Sequence, residues 1–187
     1  MKHATSLTVL VILIAGLALW AAGAGLFDST PGQPYAYTNH RGETVTINGR
    51  GLYHYDTVST AAQMQGNDLV TLIVGLPLLA VSAVLALRGS LRGRLLLIGT
   101  LGFFLYTYLS MATLTAYNHL FLVYVVLFSA SLFAFVLSLM TVDVAALPRH
   151  FSPSFPRWLV LTVVFVTGGF LLLAWLAVAA LSVTVAL

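Results

Sequence analysis

Apolar and polar positions along this chain of 187 residues come in blocks. Leu7–Phe27, Leu69–Leu87, Leu95–Ala116, Leu120–Val142 and Trp158–Leu187 contain no Lys, Arg, His, Asp or Glu. A helix rising ~1.5 Å per residue needs ~20 residues to cross a ~30 Å hydrocarbon layer, and each run is long enough. Barrel strands would alternate and be about half that length. The pattern predicts an all-α integral membrane fold: five transmembrane helices in one compact bundle, near 7–27, 69–87, 95–116, 120–142 and 158–182. The first run exceeds the ~7–15-residue core of a signal peptide, so it is expected to stay as a helix.

The one sizeable polar segment, 28–68, opens with turn formers and continues through Glu43-Thr44-Val45-Thr46-Ile47-Asn48-Gly49-Arg50-Gly51-Leu52-Tyr53-His54. Asn-Gly between β-prone runs signals a type I′ turn, because both central residues need positive φ. A β-hairpin is therefore expected near 43–55, pairing Ile47 with Arg50, Val45 with Leu52 and Glu43 with His54. Tyr35, Tyr37, Tyr53 and Tyr55 suit the headgroup level. Val58–Gln63 reads as a short amphipathic turn on the interface. Asp68 reads as the N-terminal cap of the second helix, where free N–H groups favour a carboxylate, and Pro77 as a kink within it.

Within the runs, hydroxyls and rings recur at helical spacing. Gly16, Trp20, Gly23 and Phe27 share a face of the first helix, where small residues admit a close neighbour. The third carries Tyr106, Ser110, Thr113 and Tyr117; the fourth carries Tyr124, Phe128, Ser131, Phe135 and Ser138. Helices joined by so short a link as Tyr117-Asn118-His119 are antiparallel neighbours. Two arrangements follow. Either the stripes meet and their hydroxyls bond across the helices, or they line a pocket open to the outer leaflet, with Asn118 and His119 at its mouth and the loop covering it, making Asp68, Tyr106, Ser110, Thr113, Tyr117, Asn118, His119 and Tyr124 the candidate ligand-binding residues.

Composition adds that a chain 60% hydrophobic and 7% charged has too little polar surface for a soluble domain, where ~25% charged is usual. The net charge of +3 is spread along the chain and not gathered on a face, so no nucleic-acid partner is expected. Lys2, Arg88, Arg92, Arg94, Arg149 and Arg157 fall on one side of a five-helix chain. By the positive-inside rule the N-terminus is cytoplasmic and the C-terminus extracytoplasmic, which makes the 28–68 loop extracytoplasmic. Arg88, Arg92 and Arg94 form a basic turn suited to anionic lipid.

His54 and Asp56, two apart on an expected strand, would share a face and form the best metal-ligand pair, with His40 or His119 to complete it. Without Cys there is no thiolate site. Phosphate-binding glycine loops, the Gly-x-Ser-x-Gly elbow and the His-Glu-x-x-His helix are absent, and no cofactor is expected. No run contains a carboxylate or a lysine, so neither a proton-coupled pump nor a retinal protein is expected.

In Gly51-Leu52-Tyr53-His54-Tyr55-Asp56, Asp68-Leu69-Val70-Thr71-Leu72, Arg88-Gly89-Ser90-Leu91-Arg92-Gly93 and Ala116-Tyr117-Asn118-His119-Leu120-Phe121-Leu122-Val123-Tyr124, the chain resembles a group of small bacterial multi-pass inner-membrane proteins. The resemblance spans roughly residues 45–140. It implies a bacterial inner membrane and brings no activity with it. The expectation is a non-enzymatic membrane protein binding a lipid-like or amphipathic ligand, or a partner, at its outer-leaflet face. The alternatives are an accessory or assembly subunit of a larger membrane complex, and a membrane enzyme using His54, Asp56, Asp68 and His119 on a lipid or envelope substrate. Membrane lipids, a membrane-protein partner or a second copy are the expected partners.

Overall fold

The computed structural model describes residues 4–152 and 156–185, with side chains as far as 177; Lys2 lies outside these residues. Among the described residues, five helices are long and apolar enough to cross a membrane. They are α1 (Ala4–Phe27), α2 (Val58–Leu87), α3 (Leu91–Leu114), α4 (Phe121–Met140) and α5 (Arg157–Val185). The chain forms two units, Met1–Val142 and Asp143–Leu187. The second holds a 3-10 turn, Leu147–His150, and α5, a helix whose described residues are almost all apolar.

In the first unit α1 packs on α2 and α4, and α3 packs on the same two helices, closing a four-helix ring. One end of the ring carries the loop between α1 and α2, and the other carries Arg88, Arg92 and Arg94. The inward face of α1 is Val11, Ile14, Ala18, Ala21 and Ala22, at steps of three and four. The expected Gly16-Trp20-Gly23-Phe27 face turns outward instead: Trp20 and Phe27 are exposed, and a Cβ on Gly16 or Gly23 would meet nothing. Ala side chains already permit close approach, so those glycines are not needed for it.

Helix α2 starts ten residues earlier than Asp68, at Val58. Thr57 caps it, its hydroxyl accepting the Thr60 N–H at 3.1 Å, so Val58–Gln63 is the first turns of the helix and no separate interfacial element. Thr71–Gly75 is a π-helical turn immediately before Pro77. In a regular helix the proline ring would press on the Ile73 carbonyl four residues back; widening the coil at that carbonyl accommodates it. Ser90 caps α3 through the Gly93 N–H at 3.2 Å.

The hairpin is real but displaced. Strands β1 (Tyr35–Thr38) and β2 (Thr44–Ile47) pair antiparallel, Tyr35 opposite Ile47 and Thr38 opposite Thr44. The turn is Asn39–Glu43, where the Asn39 carboxamide oxygen accepts the Arg41 and Glu43 N–H groups and Gly42 has φ +81°. Asn48-Gly49 makes a tighter knot. Gly49 does take a positive φ, +72°, but its N–H donates to the His54 carbonyl, and the Asn48 amide donates to the carbonyls of Arg50 and Tyr53. Residues 51–56 are consequently turns. His54 and Asp56 do not share a strand face.

Candidate functional site

The knot around Asn48 aims Tyr53 into the ring. Of the four loop tyrosines, Tyr35, Tyr37 and Tyr55 are exposed as expected, whereas Tyr53 is 1% exposed. Its hydroxyl donates to Asp68 Oδ2 at 2.7 Å. Asp68 is also 1% exposed and lies in the interior of α2, not at its cap. It is a carboxyl group buried inside a helix long enough to span a bilayer, which removes the ground on which a membrane-embedded acid was discounted. Gly25 of α1 makes room for it: a Cβ there would overlap Asp68 Oδ2 and stand 2.9 Å from the Tyr53 hydroxyl.

Beside this pair stands an aromatic ladder. Phe104 stacks on Tyr108 with ring centroids 6.2 Å apart, and Tyr108 on Tyr124 at 6.3 Å. Asp68 is within electrostatic reach of Tyr108 and Tyr124. The Tyr124 hydroxyl lies near Tyr53 and Asn118 but makes no well-formed hydrogen bond with either. Asn118 spends its carbonyl oxygen on the Leu120 N–H at 2.9 Å, leaving its amide nitrogen buried and unpartnered. Thr71, one turn from Asp68, also has a buried hydroxyl without a partner. Such groups are uncommon in folded proteins and call for an explanation each.

The rim is set by Asp56. Its Oδ1 accepts the Ala116 N–H at 2.9 Å, tying the loop to the α3–α4 connection, while Oδ2 is buried and free. Burial raises the Asp56 carboxyl above its ordinary value, the Ala116 N–H and His54 opposing this in part. Asp28 moves the other way, held low by the Thr30 hydroxyl and N–H. The Tyr53 hydroxyl is pushed far above the usual phenol range by burial, with Asp68 adding to the effect.

The predicted stripes divide. On α4 the stripe points inward: Tyr124, Ser131 and Ser138 are buried. On α3 it does not. Tyr106 is 70% and Tyr117 74% exposed, Thr113 is exposed, and Ser110 alone is buried. Helix α3 turns Leu97, Leu101, Phe104, Tyr108 and Met111 inward instead. Nor do the hydroxyls bond across helices: Thr100 and Thr113 donate to their own Leu96 and Leu109 carbonyls. The site thus brings together Asp68, Asn118 and Tyr124 of the predicted set, adds Tyr53, Tyr108 and Gly25, and leaves out Tyr106, Thr113, Tyr117 and His119, which are exposed. His54 bonds the Gly51 carbonyl at 3.0 Å. Among the described residues no three His, Asp or Glu side chains are grouped to hold a metal ion. Arg88 and Arg92 are exposed, and Arg94 is half-buried. Comparison with protein-family models, curated proteins and solved structures finds no match to this chain.

Proposed function

We propose that the protein is a non-enzymatic five-span membrane protein of a bacterial inner membrane, its loop end outward, that binds the polar end of a small amphiphile at the cluster of Asp68, Asn118 and Tyr124. The observation that carries this reading is the convergence of unpartnered buried groups: the Tyr124 hydroxyl, the Asn118 amide and the Thr71 hydroxyl beside the Tyr53–Asp68 bond. A carboxyl group taken out of water into the protein interior, as Asp68 is, is costly unless its partners compensate it.

The chemistry favours a headgroup bearing hydroxyls or an amine. Asp68 and Asp56 accept, Tyr124 both accepts and donates, and Asn118 donates. The neighbouring acids Asp28, Asp56 and Asp68 disfavour an anion. Helix length supports the reading as well: Asp68 is 19 residues from Leu87, or ~28 Å at ~1.5 Å per residue, so with Leu87 at one edge of a ~30 Å core Asp68 would stand near the other. There a headgroup meets its chains.

Thermal unfolding of the purified protein against amphiphiles with amine, hydroxyl and anionic heads tests the reading. Stabilisation by the first two, lost in Asp68→Asn and Tyr124→Phe and kept in Tyr106→Phe, is expected. A parent protein indifferent to the whole panel sinks it.

A further inference from the structure

A second feature lies at the arginine end, away from the Asp68 cluster. Helices α1 and α2 part to leave a groove of about 1030 Å³. Its walls are apolar, among them Leu7, Val11 and Ala15 of α1 and Leu76, Ala80 and Ala83 of α2. Along α1 it runs from Leu7 to Leu19, twelve steps or ~18 Å at ~1.5 Å per residue. That is about the depth of one leaflet, half of a ~30 Å core. An apolar wall alone selects nothing in a bilayer, because lipid tails are as apolar as leucine. Selection must come from the groove's polar end.

That end holds Arg94, Ser138 and Thr141. Arg94 donates to the Thr141 carbonyl at 3.3 Å, a neutral partner that uses one of its five N–H groups. Among the described residues its charge has no acidic counterpart. Of the five acids, Asp28, Glu43, Asp56 and Asp68 belong to the loop end. Asp143 accepts the N–H groups of its own turn, Ala145 and Ala146. Independently, Ser138 is 1% exposed and its hydroxyl is buried without a partner where it lines the groove. A half-buried guanidinium with spare donors and an orphan hydroxyl thus stand at the foot of an apolar trench about one leaflet deep, the donors an anionic head with a chain attached would need. Arg88 and Arg92, exposed at the same end, add attraction for an anionic surface.

We propose that this groove binds one anionic phospholipid of the leaflet at the arginine end, its phosphate on Arg94 and Ser138 and a chain lying between α1 and α2. This site goes beyond the proposed amphiphile site at Asp68 and does not depend on it: the two share no residue and ask for opposite charge.

The test uses the full chain in nanodiscs of phosphatidylcholine, with and without phosphatidylglycerol, read by native mass spectrometry and by thermal unfolding. The parent should retain phosphatidylglycerol in preference to phosphatidylcholine and unfold at a higher temperature with it. Arg94→Gln should lower that preference about tenfold, the loss of one charge-assisted hydrogen bond. Arg94→Lys should keep part of it and shows that the fold tolerates the position. Ala83→Phe, which fills the trench and leaves Arg94 in place, should also abolish retention, and Arg88→Gln should not. Equal retention of both lipids, or full retention by Arg94→Gln, overturns the proposal. So does equal stabilisation by inorganic phosphate, which would make the site one for a free anion. The chain has no Cys, so a disulfide forming between Ala83→Cys and Leu172→Cys in native membranes would name α5 as the occupant and overturn it too.

Discussion

Replacing Tyr53 by Phe removes one hydroxyl and little volume, so its effect comes close to isolating the bond that fastens the loop to the ring. Two scales compete for its size. Polar side-chain contacts between membrane helices average ~0.6 kcal/mol, because in the membrane-embedded unfolded state the partners find others. Leaving a buried acceptor unsatisfied when the unfolded state returns it to water costs ~1–3 kcal/mol. Position decides between them. Tyr53 is on the loop, and Asp68 lies ~28 Å along α2 from Leu87 at ~1.5 Å per residue, so both regain water or headgroups on unfolding. The larger scale applies, and Tyr53→Phe should cost ~1–3 kcal/mol. Equilibrium unfolding in mixed micelles measures it, with limited proteolysis of 28–57 as a local readout. In an Asp68→Leu background the acceptor is gone and the Tyr53 hydroxyl is left buried without a partner, so the same change should no longer destabilise and should instead recover stability, since removing both partners is close to neutral. A loss below ~0.5 kcal/mol, or one of equal size in both backgrounds, would refute the assignment of this bond as the fastening.

Other outcomes follow from neighbouring contacts. Gly25→Ala places a methyl on Asp68 Oδ2 and should cost ~1–3 kcal/mol of overpacking while exposing the loop to protease. Gly93→Ala sets a Cβ 2.6 Å from the Ala86 nitrogen; backbone cannot yield as a side chain end does, so micelle unfolding should show a loss at or above ~3 kcal/mol. Tyr106→Phe and Tyr117→Phe, on exposed rings, should stay within ~0.5 kcal/mol of the parent. For pH, the Asp56 carboxyl is raised in the fold from 3.8. The folded state therefore binds that proton more tightly, and Asp56 costs stability progressively as pH rises from 3.8 through its raised value. Asp28, lowered from the same value, gives stability that is lost as pH falls below 3.8. Asp56→Asn keeps an oxygen for the Ala116 N–H and should abolish the first slope and leave the second, as followed by melting temperature against pH.

The spans were readable from sequence because absence of charge over ~20 residues is a threshold, insensitive to detail. Which face of each span turns inward was not. In a bilayer both faces are apolar, and the polar-out rule that orients a helix in water is missing. On α3 the series Phe104, Tyr108, Met111 is as periodic as Tyr106, Ser110, Thr113, two residues out of phase, and hydroxyl content pointed to the wrong one. Ring volume filled the ring of helices instead. Asp68 was misread because Ser59–Asn67 is polar enough to pass for loop, although Thr57 caps a helix there. The hairpin was displaced because Asn48-Gly49 satisfies its local rule of positive φ and then spends its hydrogen bonds on His54 and Tyr53, a choice made by the burial of Tyr53.

The bond from Ala116 N–H to Asp56 Oδ1 joins residues sixty apart, and it imposes an order in time. A chain emerging from its N-terminus makes the loop early, but the donor that holds the loop's rim arrives only with the end of α3. Until then Asp56 has no partner there, and non-local contacts of this kind close late. The loop is therefore written second and finished near last, and a nascent chain stopped short of Ala116 should carry it open to any protease on that side of the membrane.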